Sequence, residues 1–146
     1  MSFQVYPGEI LGLSGLIGSG RTEIVRAIFG AETSAAGLVK IKGKKLSLRS
    51  IKEAALNGIG YVPEDRALEG FVPLRSVKQN LVSCNFDWIN RMKFLVNADK
   101  ENKVAREAMD KFDIKPNMPN QLVINLSGGN QQKVVLGKWL ERELTL

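Results

Sequence analysis

Histidine is absent from this chain of 146 residues, and cysteine occurs once, at Cys84. The first absence removes any chemistry that turns on an imidazole, whether proton transfer near neutral pH or ligation of a metal. The second removes a disulfide framework and a cysteine metal cluster, and it fits a reducing cytosolic setting. No apolar run approaches the roughly 20 residues that cross a bilayer. The N-terminus lacks the basic, apolar and small-residue pattern of a signal peptide. Neither sign of charge is missing: 21 lysines and arginines are interspersed with 15 acidic residues, a net charge of +6. With 44% hydrophobic residues, the chain has the composition of a soluble protein with one respectable core.

Glycine is plentiful, and two glycine-rich stretches carry the chemistry. Leu126-Ser127-Gly128-Gly129-Asn130-Gln131-Gln132-Lys133 reads as a turn running into a polar helix start. It offers a hydroxyl and several orphan N–H groups at the positive end of a helix, which suits a polyphosphate. About a hundred residues upstream, Gly15-Leu16-Ile17-Gly18-Ser19-Gly20-Arg21-Thr22 lies between an apolar run, Glu9–Ser14, and the helical pattern Glu23–Gly30. Buried strand, G-x-x-x-x-G-basic-Thr, then helix is the setting of a phosphate-binding loop. Successive N–H groups there form a nest for anionic oxygens, and Thr22 would offer its hydroxyl to Mg²⁺. Arg21 stands where lysine is expected. A planar guanidinium is wider than an ammonium and prefers bidentate geometry, so nucleotide binding is expected here without efficient hydrolysis. A dinucleotide fingerprint is excluded, because its third glycine would fall on Glu23.

Pro7-Gly8 is expected to turn the chain into the first core strand. The lysines of Lys40–Lys45, alternating about Gly43, predict a small exposed hairpin rather than a nucleic-acid footprint. Ser50 is placed as the cap of a short helix, Ile51–Asn57, closed by Gly58. Ile59–Val62 reads as a second buried strand stopped at Pro63, with Glu64-Asp65-Arg66 following at its ligand-facing end. Ser76 caps a helix from Val77 to Val82. Trp88, Ile89, Met92, Phe94 and Leu95 form an apolar cluster. Asn97–Phe112 carries Val104, Ala105, Ala108, Met109 and Phe112 on one helical face. Pro116–Asn120 is a linker, and Gly128 opens the final helix.

With these segments in order, the chain resembles the ATP-binding-cassette (ABC) ATPases. Gly15–Thr22 is similar to their Walker A loop, Glu64 falls at the Q-loop glutamine, and Leu126–Lys133 is similar to their signature motif. More narrowly, Gly18–Glu23, Gly60–Arg66 and the Ser-Gly-Gly-Asn-Gln-Gln-Lys stretch resemble the monosaccharide-importer ATPases, and specifically the second of their two fused cassettes. The resemblance implies an α/β fold: a partial P-loop NTPase core with an antiparallel hairpin region, a helical subdomain and an incomplete sheet. It divides the chain into a core part at 1–73, a helical subdomain at 74–125, and the signature with its helix at 126–146. ATP and Mg²⁺ are the implied cofactors. Gly15, Gly18, Ser19, Gly20, Arg21, Thr22, Glu23, Ser127, Gly128, Gly129 and Asn130 would bind nucleotide, and Thr22 and Glu64 would bind metal. The two unusual residues, Arg21 and Glu64, are expected to compensate each other's charge.

No aspartate has the four preceding apolar residues of a Walker B strand, and a switch histidine is impossible here. The expectation is therefore a fragment: an importer ATPase in its parent protein, with no catalytic residue assigned and no turnover by the isolated chain. The implied partners are the first cassette of the same polypeptide, the membrane permease subunits and, indirectly, a periplasmic sugar-binding protein. The implied location is peripheral, on the cytoplasmic face of the membrane. In the resemblance, Ser127, Gly128 and Gly129 would act on the partner cassette's nucleotide, and Phe71, Val72 and Leu74 would either make an exposed apolar contact with a permease or be buried in the chain's own core. A sheet edge beside the Walker A strand is expected to be open. The alternatives are a nucleic-acid-associated ABC ATPase, suggested by charge alone, and a non-catalytic interaction module.

Overall fold

A computed structural model describes residues 1–32, 34–47, 49–84 and 98–140. The Trp88–Leu95 cluster lies outside the described residues. The chain forms two compact units, Met1–Tyr61 in the first and the described residues from Val62 onward in the second.

In the first unit, helix α1 (Arg21–Phe29) ends at Gly30, whose left-handed φ of 78° turns the chain out of the helix. Strands β1 (Val39–Ile41) and β2 (Lys44–Leu46) pair antiparallel, with Val39 opposite Leu46 and Ile41 opposite Lys44. Lys42 and Gly43 make the two-residue connection, both at positive φ, as such a tight hairpin requires. The lysines here are exposed and Leu46 turns inward, as the alternation predicts. Helix α2 (Ile51–Leu56) starts at Ser50, whose Oγ accepts the Glu53 N–H at 3.1 Å. Phe29, Leu46, Ala54 and Ala55 are buried, and the Phe29 ring stacks on Tyr61 at 5.2 Å between centroids. Helices α1 and α2 approach closely enough that a Cβ on Gly30 would lie 2.8 Å from the Ser50 backbone.

Two expectations fail in this region. Glu9–Ser14 and Ile59–Val62 are not strands, and Ile10 is 98% exposed. The hairpin is the only sheet among the described residues, so neither run meets a ladder to join. Without a neighbouring strand their N–H and C=O groups have no sheet partners, although Leu13, Ile59 and Tyr61 are half-buried. The open sheet edge expected beside Glu9–Ser14 is consequently not formed.

The second unit is helical. Asp65 Oδ1 accepts the N–H groups of Ala67 and Leu68, at 2.9 and 3.1 Å, and starts a π-turn over Arg66–Gly70. Helix α3 (Val77–Leu81) opens on a capping box: Ser76 Oγ accepts the Gln79 N–H while Gln79 Oε1 accepts the Ser76 N–H. Helix α4 (Ala98–Lys111) buries Ala105, Ala108 and Met109, with Phe112 packed at its end, which is the predicted face. Helix α5 (Gly128–Leu140) buries Val134, Val135 and Trp139. These helices close on Val77, Leu81, Ile114 and Val123, each at most 1% exposed. A Cβ on Gly137 would stand 2.8 Å from Leu81 Cδ2, so the missing side chain sets how near α5 comes to α3. Pro116–Asn120 is not helical, and Gln121–Val123 runs back along Arg75–Val77 through Val77 N–H to Gln121 O and Val123 N–H to Arg75 O. That pairing delivers the chain to the start of α5. Lys138, on α5, donates to Gly70 O at the end of the π-turn, and burial holds its ammonium below the usual lysine range.

Candidate functional site

The first glycine loop is an exposed turn closed by Ser19 N–H to Leu16 O at 3.1 Å. Gly18 and Gly20 have φ of 80° and 85°, and a Cβ at either position would meet nothing within 4 Å. Gly20 is the cap residue of α1 and no side chain caps that end. The N–H groups of Arg21, Thr22 and Glu23 occupy the first turn, where helix geometry provides no acceptor. Among the described residues none of them has another partner. The Arg21, Thr22 and Glu23 side chains are exposed. The backbone here offers open space, N–H groups without a partner among the described residues and the positive end of a nine-residue helix. A Cβ on Gly15 would collide with the Ser19 side chain, so that glycine serves the turn.

The second loop is more tightly built. Ser127 O accepts the Gln131 N–H at 2.9 Å, which makes Ser127 the residue on which α5 begins. Gln131 turns back, its Nε2 donating to Ile124 O and Leu126 O at 3.3 and 3.2 Å, and this ties the preceding Val123–Asn125 turn to the helix. Asn130 Oδ1 accepts the Lys115 backbone N–H at 2.9 Å, while Asn130 Nδ2 donates to Ser127 Oγ at 3.0 Å. One turn later Lys133 Nζ donates to Asp113 O at 2.6 Å and pairs with Asp113 Oδ2 at 3.5 Å. The Lys115 ammonium, 3.0 Å from Asp113 Oδ1, and then Lys133 hold that carboxyl below the usual aspartate range. Ser127, Gly128 and Gly129 stay exposed, and a Cβ on Gly129 would meet nothing within 4 Å. On the other side the Arg66 guanidinium comes within 2.8 Å of where a Gly128 Cβ would be.

Among the described residues, no group of three histidines, cysteines, aspartates or glutamates could hold a metal, and no helix is long and apolar enough to cross a membrane.

The sequence of these 146 residues matches the family model "ABC transporter" from residue 1 to residue 146. The chain belongs to the ABC transporter family. Membership implies a P-loop NTPase fold, to which the helices and the two-stranded antiparallel hairpin are consistent contributions. The chain is 43% identical over 143 residues to an arabinose import ATP-binding protein of Mannheimia succiniciproducens, covering 98% of this chain and 28% of that protein. It is 44% identical over 140 residues to a ribose import ATP-binding protein of Clostridium tetani, 96% of this chain and 28% of that one. A putative ribose/galactose/methyl galactoside import ATP-binding protein of Rhizobium etli is 46% identical over 147 aligned positions, 100% of this chain and 28% of its own length. The chain thus spans little more than a quarter of the length of the curated relatives it matches.

Within this ABC segment the candidate residues fall into separate groups. Gly15, Gly18, Ser19, Gly20, Arg21, Thr22 and Glu23 share one loop and helix start in the first unit. Glu64 is in the second unit, exposed, beside the buried Pro63. Ser127, Gly128, Gly129 and Asn130 lie together at the start of α5. Of the three apolar residues placed at a docking surface, Phe71 is buried, whereas Val72 and Leu74 are 55% and 78% exposed. Arg66, Asp113 and Lys115 were not singled out for the signature loop by sequence reasoning. Lys115 and Asn130 are 15 positions apart and Asp113 and Lys133 are 20 apart, a separation with no local pattern to announce it.

Proposed function

We propose that this chain is the ATP-binding segment of a sugar importer's energising subunit, and that its two glycine loops serve two different nucleotides. The similarity that carries this reading extends over nearly the whole chain to proteins named for arabinose, ribose and galactoside import. The first loop fits a polyphosphate, with Gly15, Gly18, Ser19 and Gly20 shaping the cradle and the Arg21, Thr22 and Glu23 N–H groups donating. Mg²⁺, when bound, would screen charge between the terminal phosphates, with Thr22 and Glu64 as its protein ligands. Arg21 and Glu64 would offset each other's charge. Ser127, Gly128 and Gly129 would cap the γ-phosphate held by a partner cassette, the first cassette of the same polypeptide. In that division 1–73 is core, 74–125 is helical subdomain and 126–146 carries the signature.

The parent protein would work at the cytoplasmic face of the membrane, on permease subunits fed by a periplasmic sugar-binding protein. Turnover is a property of that assembly and not of these 146 residues, which contain no histidine and no Walker B aspartate. No observation favours nucleic acid as a partner, since the dense lysines are accounted for by a solvated hairpin. In the full-length importer, Ser127→Ala should lower steady-state ATPase turnover more than Arg21→Ala. The reverse ranking would overturn the assignment of the two loops.

A further inference from the structure

We propose that Asn130 is a positioning residue that aims the Ser127 hydroxyl. The proposal rests on the reading of the signature loop above and gives Asn130 a different task from nucleotide contact. Its carboxamide has an unambiguous orientation. A backbone N–H can only donate, so the atom facing Lys115 N at 2.9 Å must be Oδ1. The opposite end is then Nδ2, and it donates to Ser127 Oγ at 3.0 Å. A hydroxyl that accepts from inside the protein keeps its own proton for an acceptor outside it. Among the described residues no acceptor takes that proton, and Ser127 is exposed.

The amide thus settles a choice that the rotating O–H would otherwise leave open. Ser127 is held as a donor toward the space in front of the α5 N-terminus, beside the N–H groups of Gly128 and Gly129. A donor pointing the same way as those dipoles stabilises charge on an incoming phosphoryl oxygen without reorganising during the reaction. The Lys115 backbone follows the fully buried Ile114, whose N–H donates to Met109 O at 2.9 Å, and its exposed ammonium pairs with Asp113, which receives Lys133 from the second turn of α5. The turn after α4 therefore sets the direction of the signature hydroxyl through one carboxamide.

Two measurements test this. By NMR on the 146-residue chain without nucleotide, Asn130→Ala should accelerate exchange of the Lys115 amide about tenfold, and Ser127→Ala should shift the Asn130 side-chain NH₂ resonances. Unchanged Lys115 exchange together with unchanged NH₂ resonances would overturn the proposal. In the full-length importer, Asn130→Ala should lower kcat for ATP about fivefold, the fold-change of one lost hydrogen bond, with KM changed less than about twofold. The Ser127→Ala/Asn130→Ala double variant should be no slower than Ser127→Ala alone. Multiplying effects would mean that Asn130 acts independently of the hydroxyl, and would overturn this proposal while leaving the signature reading intact. If Ser127→Ala itself turned over ATP normally, the signature reading would fall and this proposal with it. Thermal unfolding within about 2 °C of wild type excludes misfolding as the cause of a loss.

Discussion

Asn80 is a buried polar residue whose carboxamide ties the turn before α3 to that helix, and truncating it to alanine tests that tie. Its side chain is 2% exposed, on α3, facing the turn before it. Oδ1 accepts the Val72 N–H at 2.8 Å, and Nδ2 donates to the carbonyls of Val72, Arg75 and Ser76 at 3.2, 3.3 and 3.0 Å. One acceptor and two N–H donors are thus fully engaged. Each such bond contributes about 0.5–1.5 kcal/mol net, and Asn80→Ala should therefore cost about 2–4 kcal/mol. Water reaching the exposed turn would satisfy some of the abandoned backbone groups and hold the loss toward the lower end. Urea unfolding of the chain, followed by tryptophan fluorescence, reads this as a lower midpoint at unchanged slope. Asn80→Asp is the informative companion. It keeps an acceptor for Val72 N–H but turns a carboxylate toward three carbonyl oxygens, so at neutral pH it should be the more damaging of the two. A loss below about 1 kcal/mol for alanine, or a milder effect for aspartate, would show that the network does not hold the turn.

Two further outcomes follow from packing and charge, and two from the loops. Gly137→Ala should destabilise despite a helix-propensity gain of about 1 kcal/mol, because the new methyl meets Leu81, 1% exposed and unable to withdraw. In a Leu81→Ala background the same change should become neutral or stabilising, and a stabilising effect in the wild-type background would refute the contact. The Asp113 carboxyl should titrate below its ordinary value of 3.8, first because of Lys115. Since its folded-state pKa is lowered, its stabilising effect is present above that ordinary value and is lost as pH falls through the lowered one. Carboxyl NMR finding a midpoint at or above 3.8 would refute the pairing. For the loops, the turnover ranking of Ser127→Ala below Arg21→Ala and the non-additivity of Asn130→Ala with Ser127→Ala are the decisive measurements.

The helices were readable where their signals were local. Ser50 and Ser76 announce helix starts because a hydroxyl can reach an N–H three residues ahead within one turn. The α4 face was readable because its spacing repeats with the helix. The same logic misled at Glu9–Ser14 and Ile59–Val62. An apolar run states a preference for burial, whereas a strand exists only when another strand supplies its hydrogen bonds, and none among the described residues does so.

By itself the sequence determined the two glycine loops, the arginine in the first of them, and the family to which their order belongs. Those features depend on residue type and short spacing, which the linear chain preserves. Only the tertiary structure decided that Asn130 is held between Ser127 and Lys115, that Lys133 grips Asp113, and that Arg66 stands against Gly128. Each of these joins residues through folding of the α4–α5 connection or the π-turn onto α5. A hydrogen bond requires atoms about 3 Å apart, and for partners 15 or more positions distant only the folded chain brings them there.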